Sequence, residues 1–223
     1  MNWVLDNLDL IATLTMDHLR QSVIAIVVGF ALSVPIGWVA FRYTKLRGPV
    51  LTTTGLLYTI PSLALFVILI ALGVPFLSEL PLVIGLTIYA IAIMTRSVTD
   101  GLQSVDPAVR SAAVAVGYGP WRRFWTVDLP LAGPVVMAGL RVTAVSTISL
   151  ATVGILVGVQ NLGYLFTNGY QRRILAEVLA GVVAVVLVAL LVDLALVLIG
   201  RALMPWTRRV QRIPRRRSRE AIA

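Results

Sequence analysis

Cysteine is absent from this chain of 223 residues. That excludes a disulfide framework, a thiolate metal site and a cysteine nucleophile. Histidine occurs once, as His18, with no further metal ligands clustered beside it. It is expected to sit at an interface or in packing. Lysine also occurs once. A phosphate-binding loop needs Gly-Lys ahead of Ser or Thr, whereas Lys45 lies between Thr44 and Leu46. The chain is therefore expected not to be an enzyme and to take its energy from a partner or an ion gradient. Charge is scarce too, at 13% of residues, against about a quarter in a soluble domain. Strand-type alternation is missing, because the apolar residues form continuous runs, which argues against an outer-membrane barrel.

What is present is apolar: 58% of residues are hydrophobic. A bilayer core of about 30 Å takes about twenty residues of helix. Five stretches qualify, at 21–41, 50–72, 80–97, 131–159 and 178–203. Lipid cannot hydrogen-bond the backbone, so each is expected to be helical. The prediction is an all-α, polytopic membrane protein of about five transmembrane helices. Residues 1–20 carry Asp6, Asp9 and Asp17 and lack the basic start and cleavage site of a leader. They form an extracytoplasmic segment, either a short helix using Leu10, Ile11 and Leu14 or a disordered start. Residues 21–203 form the membrane domain and 204–223 a basic tail.

The net charge of +9 is unevenly placed. Arg42, Lys45 and Arg47 fill the first gap, and Arg96, Arg110, Arg122 and Arg123 the third. The tail holds a run from Arg201 to Arg219. The second gap, 73–79, has no basic residue, and Arg20, Arg172 and Arg173 fall on the other side. The positive-inside rule then puts the N-terminus outside and the C-terminus in the cytoplasm. The tail suits anionic lipid or a solvated topology anchor. Nucleic acid is not an expected partner, since no folded recognition element is evident.

Several positions break regularity. Pro35 and Pro61 should bend their helices unless neighbours compensate. The fourth run would be about 44 Å long if wholly helical, so a break is expected near Gly154 or Gly158, followed by a packed outer loop through Gly163 and Gly169. Arg141 and Asp193 lie inside apolar runs, where charge is costly and often functional. Each is about ten residues from the same side. They either pair with one another or face water and other neighbours, and a proton relay through Asp193 is a further alternative. Tyr58, Phe66 and Tyr89 either line a path or pack.

The third gap, about 98–130, has its own pattern. Asp106-Pro107 reads as a helix start, Gly117-Tyr118-Gly119-Pro120 as a break, and Trp121 to Trp125 as another helical turn. Trp121, Phe124 and Trp125 are either docking contacts or interfacial anchors. Ser111-Ala112-Ala113, then Gly117, then Val127-Asp128-Leu129-Pro130 resembles the "EAA" loop of ABC importer permeases, the segment that docks the ATPase. The departure is Ser111, where that family usually has glutamate. Tyr58 to Leu65, Ser104 to Pro107, Pro134 to Arg141, and His18-Leu19 ahead of Pro35-Ile36-Gly37 resemble the osmoprotectant branch, for glycine betaine, carnitine, choline or proline. Where relatives often have a glycine-rich run, this chain has Gly158 to Gly163 with Gln160 and Asn161 inside it.

The resemblance implies a type I ABC importer permease in the bacterial inner membrane. It implies a docking loop using Ser111, Ala112, Ala113, Gly117, Leu129 and Pro130, in which the missing carboxylate leaves docking to shape, backbone contacts and the nearby Arg110, Arg122 and Arg123. It implies a second permease subunit, two ATPase subunits that bind ATP and Mg, and an extracytoplasmic solute-binding protein. This chain would hold no cofactor. The alternatives are a permease for methionine or another amino acid, or an ion-coupled secondary transporter.

Overall fold

The computed structural model describes residues 2–76 and 78–207. Most of the basic tail therefore lies outside the described residues. Helices account for nearly everything, and no strand occurs among the described residues. A short α1 (Asn2–Asp6) leads into α2 (Leu8–Arg42), then α3 (Thr44–Thr59), α4 (Ser62–Ala71) and α5 (Leu80–Gln103). After the third gap come α8 (Leu129–Ala151), a 3₁₀ turn (Thr152–Val157), α9 (Gly163–Arg172) and α10 (Leu175–Leu203). Between α5 and α8 lie α6 (Pro107–Ala115), α7 (Pro120–Arg123) and a π turn (Phe124–Asp128). Four helical stretches are long and apolar enough to cross a membrane, and the bent pair α3–α4 makes a fifth if counted as one span.

The boundary expected at residue 20 is not a structural one. Helix α2 runs unbroken across it, so the N-terminal segment is helical rather than disordered. Leu14 explains this, since it is buried in one core with Ile26, Ala144, Ile148 and Leu165. His18 is fully buried, and its Nε2 lies 3.0 Å from the Ile148 carbonyl oxygen. Pro35 sits inside α2 without ending it. Pro61 behaves differently: α3 and α4 meet there at 96°. Ile60, forced out of the helical region by the following proline, is extended. Its carbonyl accepts a hydrogen bond from the Tyr89 hydroxyl. Tyr89 meets Tyr58 edge-on at 5.7 Å, and Phe66 is fully buried against α5. Tyr89 and Phe66 are therefore packing residues.

The fourth run stops being α-helical at Ala151, and Gly158 turns the chain with a φ of 82°. The following segment is not the expected loop. It is α9, whose entry is fixed by Asn161. The Asn161 carboxamide donates to the Ala151 carbonyl at 2.8 Å and accepts from the Gly163 amide at 2.8 Å. Gln21 of α2 accepts from Asn161 at 3.3 Å and donates to the Gln160 carbonyl at 3.0 Å. Backbone groups freed by the break are thus met by buried side chains, as an interior without water requires.

Helix α5 is the centre of the bundle, packed between α2 and α8. Small residues set that approach. A Cβ at Gly37 would stand 2.7 Å from Val98 Cγ1, and one at Gly29 would collide with the Ala90 Cβ. Helix α10 is the outer member, with Leu179, Leu187, Leu191 and Leu198 all exposed. It is tied to α8 by Arg141, whose Nε and Nη2 donate to the two Asp193 oxygens at 2.7 and 2.8 Å. That bidentate geometry is the strong form of a carboxylate–guanidinium pair. Both groups are engaged with each other.

Two outcomes test this packing. Gly29→Ala should destabilise the protein by about 1–3 kcal/mol through overpacking, and Ala90→Gly in the same chain should restore most of the loss, read by denaturant unfolding in detergent. Asp193→Ala should lower the yield and thermal stability of detergent-solubilised protein more than the double variant Arg141→Ala/Asp193→Ala, because the single change strands a charge.

Candidate functional site

The segment between α5 and α8 is built from its caps. The Asp106 side chain accepts from the Ala108 amide at 2.8 Å, and Pro107 occupies the first helical position, so α6 starts with its free donors met or absent. It ends in a paired closure. The Tyr118 amide donates to the Ala113 carbonyl and the Gly117 amide to the Val114 carbonyl, each at 3.0 Å. This is the Schellman arrangement, and its left-handed position is Gly117, at a φ of 85°. A Cβ there would touch nothing. Glycine is needed for the backbone conformation and not for space. The interval from Ala113 to Gly117 is therefore set by helix termination.

Ser111 and Ala112 are exposed on α6, while Ala113 is buried. The Ser111 hydroxyl donates back to the Pro107 carbonyl at 3.0 Å. It thus sits on its own helix, and the exposed face near it is short-chained. Leu129 and Pro130 are half-buried at the start of α8. The π turn just before them is closed by the Leu129 amide on the Phe124 carbonyl. A wide turn suits Pro130, whose ring would clash with the carbonyl four residues back in an α-helix.

The charges of the segment fall differently from expectation. Arg110 and Arg123 are turned inward to Asp128. Arg110 Nε donates to Asp128 Oδ1 at 2.8 Å, and Arg123 Nε donates to Oδ2 at 3.1 Å. Asp128 is 2% exposed. Arg110 also donates to the Leu102 carbonyl, one of the acceptors left over at the end of α5, and its guanidinium lies 4.6 Å from the centre of the Phe41 ring. Of the three arginines, only Arg122 is exposed, and it stacks on Tyr118 at 4.5 Å. Sequence reasoning passed over Asp128. Asp106 and Asp128 both lie within twenty residues of the three arginines, and no local pattern marks which of them is buried.

Aromatic residues seat the segment on α2. Trp38 meets Trp121 edge-on at 6.5 Å and Phe124 at 6.0 Å. Phe124 is buried, whereas Trp121 and Trp125 keep exposed faces. The segment is thus a compact helix–turn–helix element fixed to α2, α5 and α8. It presents the Ser111–Ala112 face and the exposed tryptophans. Arg141 and Asp193 belong to the separate α8–α10 joint.

The chain resembles known proteins over most of its length. The family model described as the binding-protein-dependent transport system inner membrane component matches residues 25–209. The osmoprotectant import permease protein OsmW of Salmonella typhimurium is 31% identical over 199 residues, covering 86% of this chain and 91% of that protein. The choline transport system permease protein OpuBB of Bacillus subtilis is 31% identical over 195 residues, covering 86% and 87%. Among solved structures, the inward-facing MetNI methionine ABC transporter aligns at a TM-score of 0.80 with 21% identity, over 89% of this chain and 98% of that one. That likeness establishes the fold. With the match to the family model over most of the chain, this chain belongs to the family of binding-protein-dependent transport system inner membrane components.

Proposed function

We propose that this chain is the translocation subunit of an ABC importer for compatible solutes such as glycine betaine, choline, carnitine or proline. The observation that carries the proposal is the rigid segment between α5 and α8, whose Schellman closure fits the Ala113 to Gly117 interval of the docking loop. Ser111, Ala112, Ala113, Gly117, Leu129 and Pro130 form that loop. Its exposed face is short-chained, so a partner's groove can approach the α6 backbone closely. With serine at position 111, docking rests on shape, backbone contact and Arg122.

The chain has no ATPase site of its own in this reading. ATP and Mg are held by two partner ATPase subunits. A second permease subunit completes the path, and an extracytoplasmic binding protein delivers the solute. The loop faces the cytoplasm and the N-terminus lies outside. Arg42, Lys45, Arg47 and Arg122 near the loop support that orientation, as does the absence of basic residues in the 73–79 connection. Nucleotide binding closes the ATPase pair and, through the loop, biases the bundle between two states. Solute choice is supported by relatives whose names specify osmoprotectants, choline and carnitine. The methionine transporter shares the fold at lower identity, and family membership argues against an ion-coupled secondary transporter.

Two measurements test the reading. The solubilised chain, co-expressed with a cognate importer ATPase, should retain that ATPase through purification. Gly117→Val, which forces a β-branched residue into a left-handed position at a cost of about 1–2 kcal/mol, should weaken that retention about tenfold. In proteoliposomes, uptake of glycine betaine or choline should require both ATP and the binding protein. Uptake without ATP, or of methionine alone, would refute the assignment.

A further inference from the structure

The path along the chain from α6 to α8 is long, running through the turn at Gly117 to Gly119, α7 and the π turn before Leu129. The side chains supply a shorter route. Arg110, in the middle of α6, reaches across eighteen positions of sequence to Asp128 at the foot of α8. The same guanidinium holds the Leu102 carbonyl at the end of α5. Arg123 occupies the second Asp128 oxygen. With both oxygens held and the side chain 2% exposed, the carboxylate has no freedom to swing. Charge-assisted bonds of this kind are the stiff ones. Losing the acid would leave two inward guanidinium groups without their counter-charge.

We infer that Asp128 is the positioning residue that transmits movement of α6 into α8 and α5, through Arg110, so that the three move as one body. This rests on the reading of the segment as the ATPase-docking loop. Arg110 is the transmitting partner. Arg123 holds the carboxylate in place and lies on the α8 side of the glycine turn, so it adds no route from α6.

The two arginines therefore separate this role from simple structural support. The chain has no cysteine, so spin labels can be placed cleanly at Val109→Cys on α6 and Leu131→Cys on α8, both at exposed positions. In the complex with its ATPase, the distance between these labels should stay narrow and unchanged by ATP. Asp128→Asn and Arg110→Gln should broaden it, and Arg123→Gln should not. In proteoliposomes supplied with glycine betaine and the binding protein, Asp128→Asn and Arg110→Gln should still retain the ATPase and hydrolyse ATP. Solute moved per ATP should fall at least about fivefold, as loss of a typical coupling free energy implies. Asp128→Glu should recover most of that ratio. An unchanged label distance in Arg110→Gln, or equal effects of Arg110→Gln and Arg123→Gln, would overturn the assignment even if Asp128→Asn failed to accumulate. A wild-type chain that retains no ATPase would instead sink the docking reading, while the label distances would still report on the joint.

Discussion

Everything in this bundle depends on one constraint: hydrocarbon offers the backbone no hydrogen bonds. Regular helix satisfies that constraint locally, so the instructive places are where the helix stops. At Ile60 and Pro61 the freed carbonyl is met by the Tyr89 hydroxyl of α5. Beyond Ala151 the freed groups are met by Asn161 and Gln21, which lie 140 positions apart in the sequence. Each interruption is made tolerable by a side chain from another element. Packing and backbone satisfaction are therefore the same problem here.

That coupling decides how sharply the chain can turn. A proline alone need not break a helix, as Pro35 within α2 demonstrates. Pro61 does, because a neighbour stands ready to accept the cost. The contrast argues that the 96° angle between α3 and α4 belongs to the pair Pro61 and Tyr89 together. The same logic applies to the segment from Gly158 to Gly163. Its polar residues close the break through side chains, where a run of glycines would have only its own backbone to offer.

The runs of apolar residues made the helical bundle legible in the sequence, and the segment before α8 was legible through its spacing. The Asp106 cap and the Gly117 turn are local features, readable from a few adjacent residues. What escaped reading was long-range. The helix α9 carries polar residues and glycines, so it resembles a loop until Asn161 fixes its start. The inward turn of Arg110 and Arg123 depends on the burial of Asp128, which no local pattern encodes. Arg141 and Asp193 share a depth that helical rise alone predicts, but the faces they present follow from how α8 packs on α10.

An acid-poor chain gives each carboxylate unusual weight. Ten acidic residues serve the whole protein, and those in the tight pairs each join separate elements. Asp193 links α10 to α8, Asp128 links α6 to the start of α8, and Glu79 joins the α4–α5 connection to Arg20 of α2. Packing between small-residue helix faces sets how closely the helices approach, as at Gly29 and Gly37. A bidentate or doubly held carboxylate does not tolerate sliding, because its partners lie at one distance and one angle. The charged pairs therefore fix register alongside the apolar contacts.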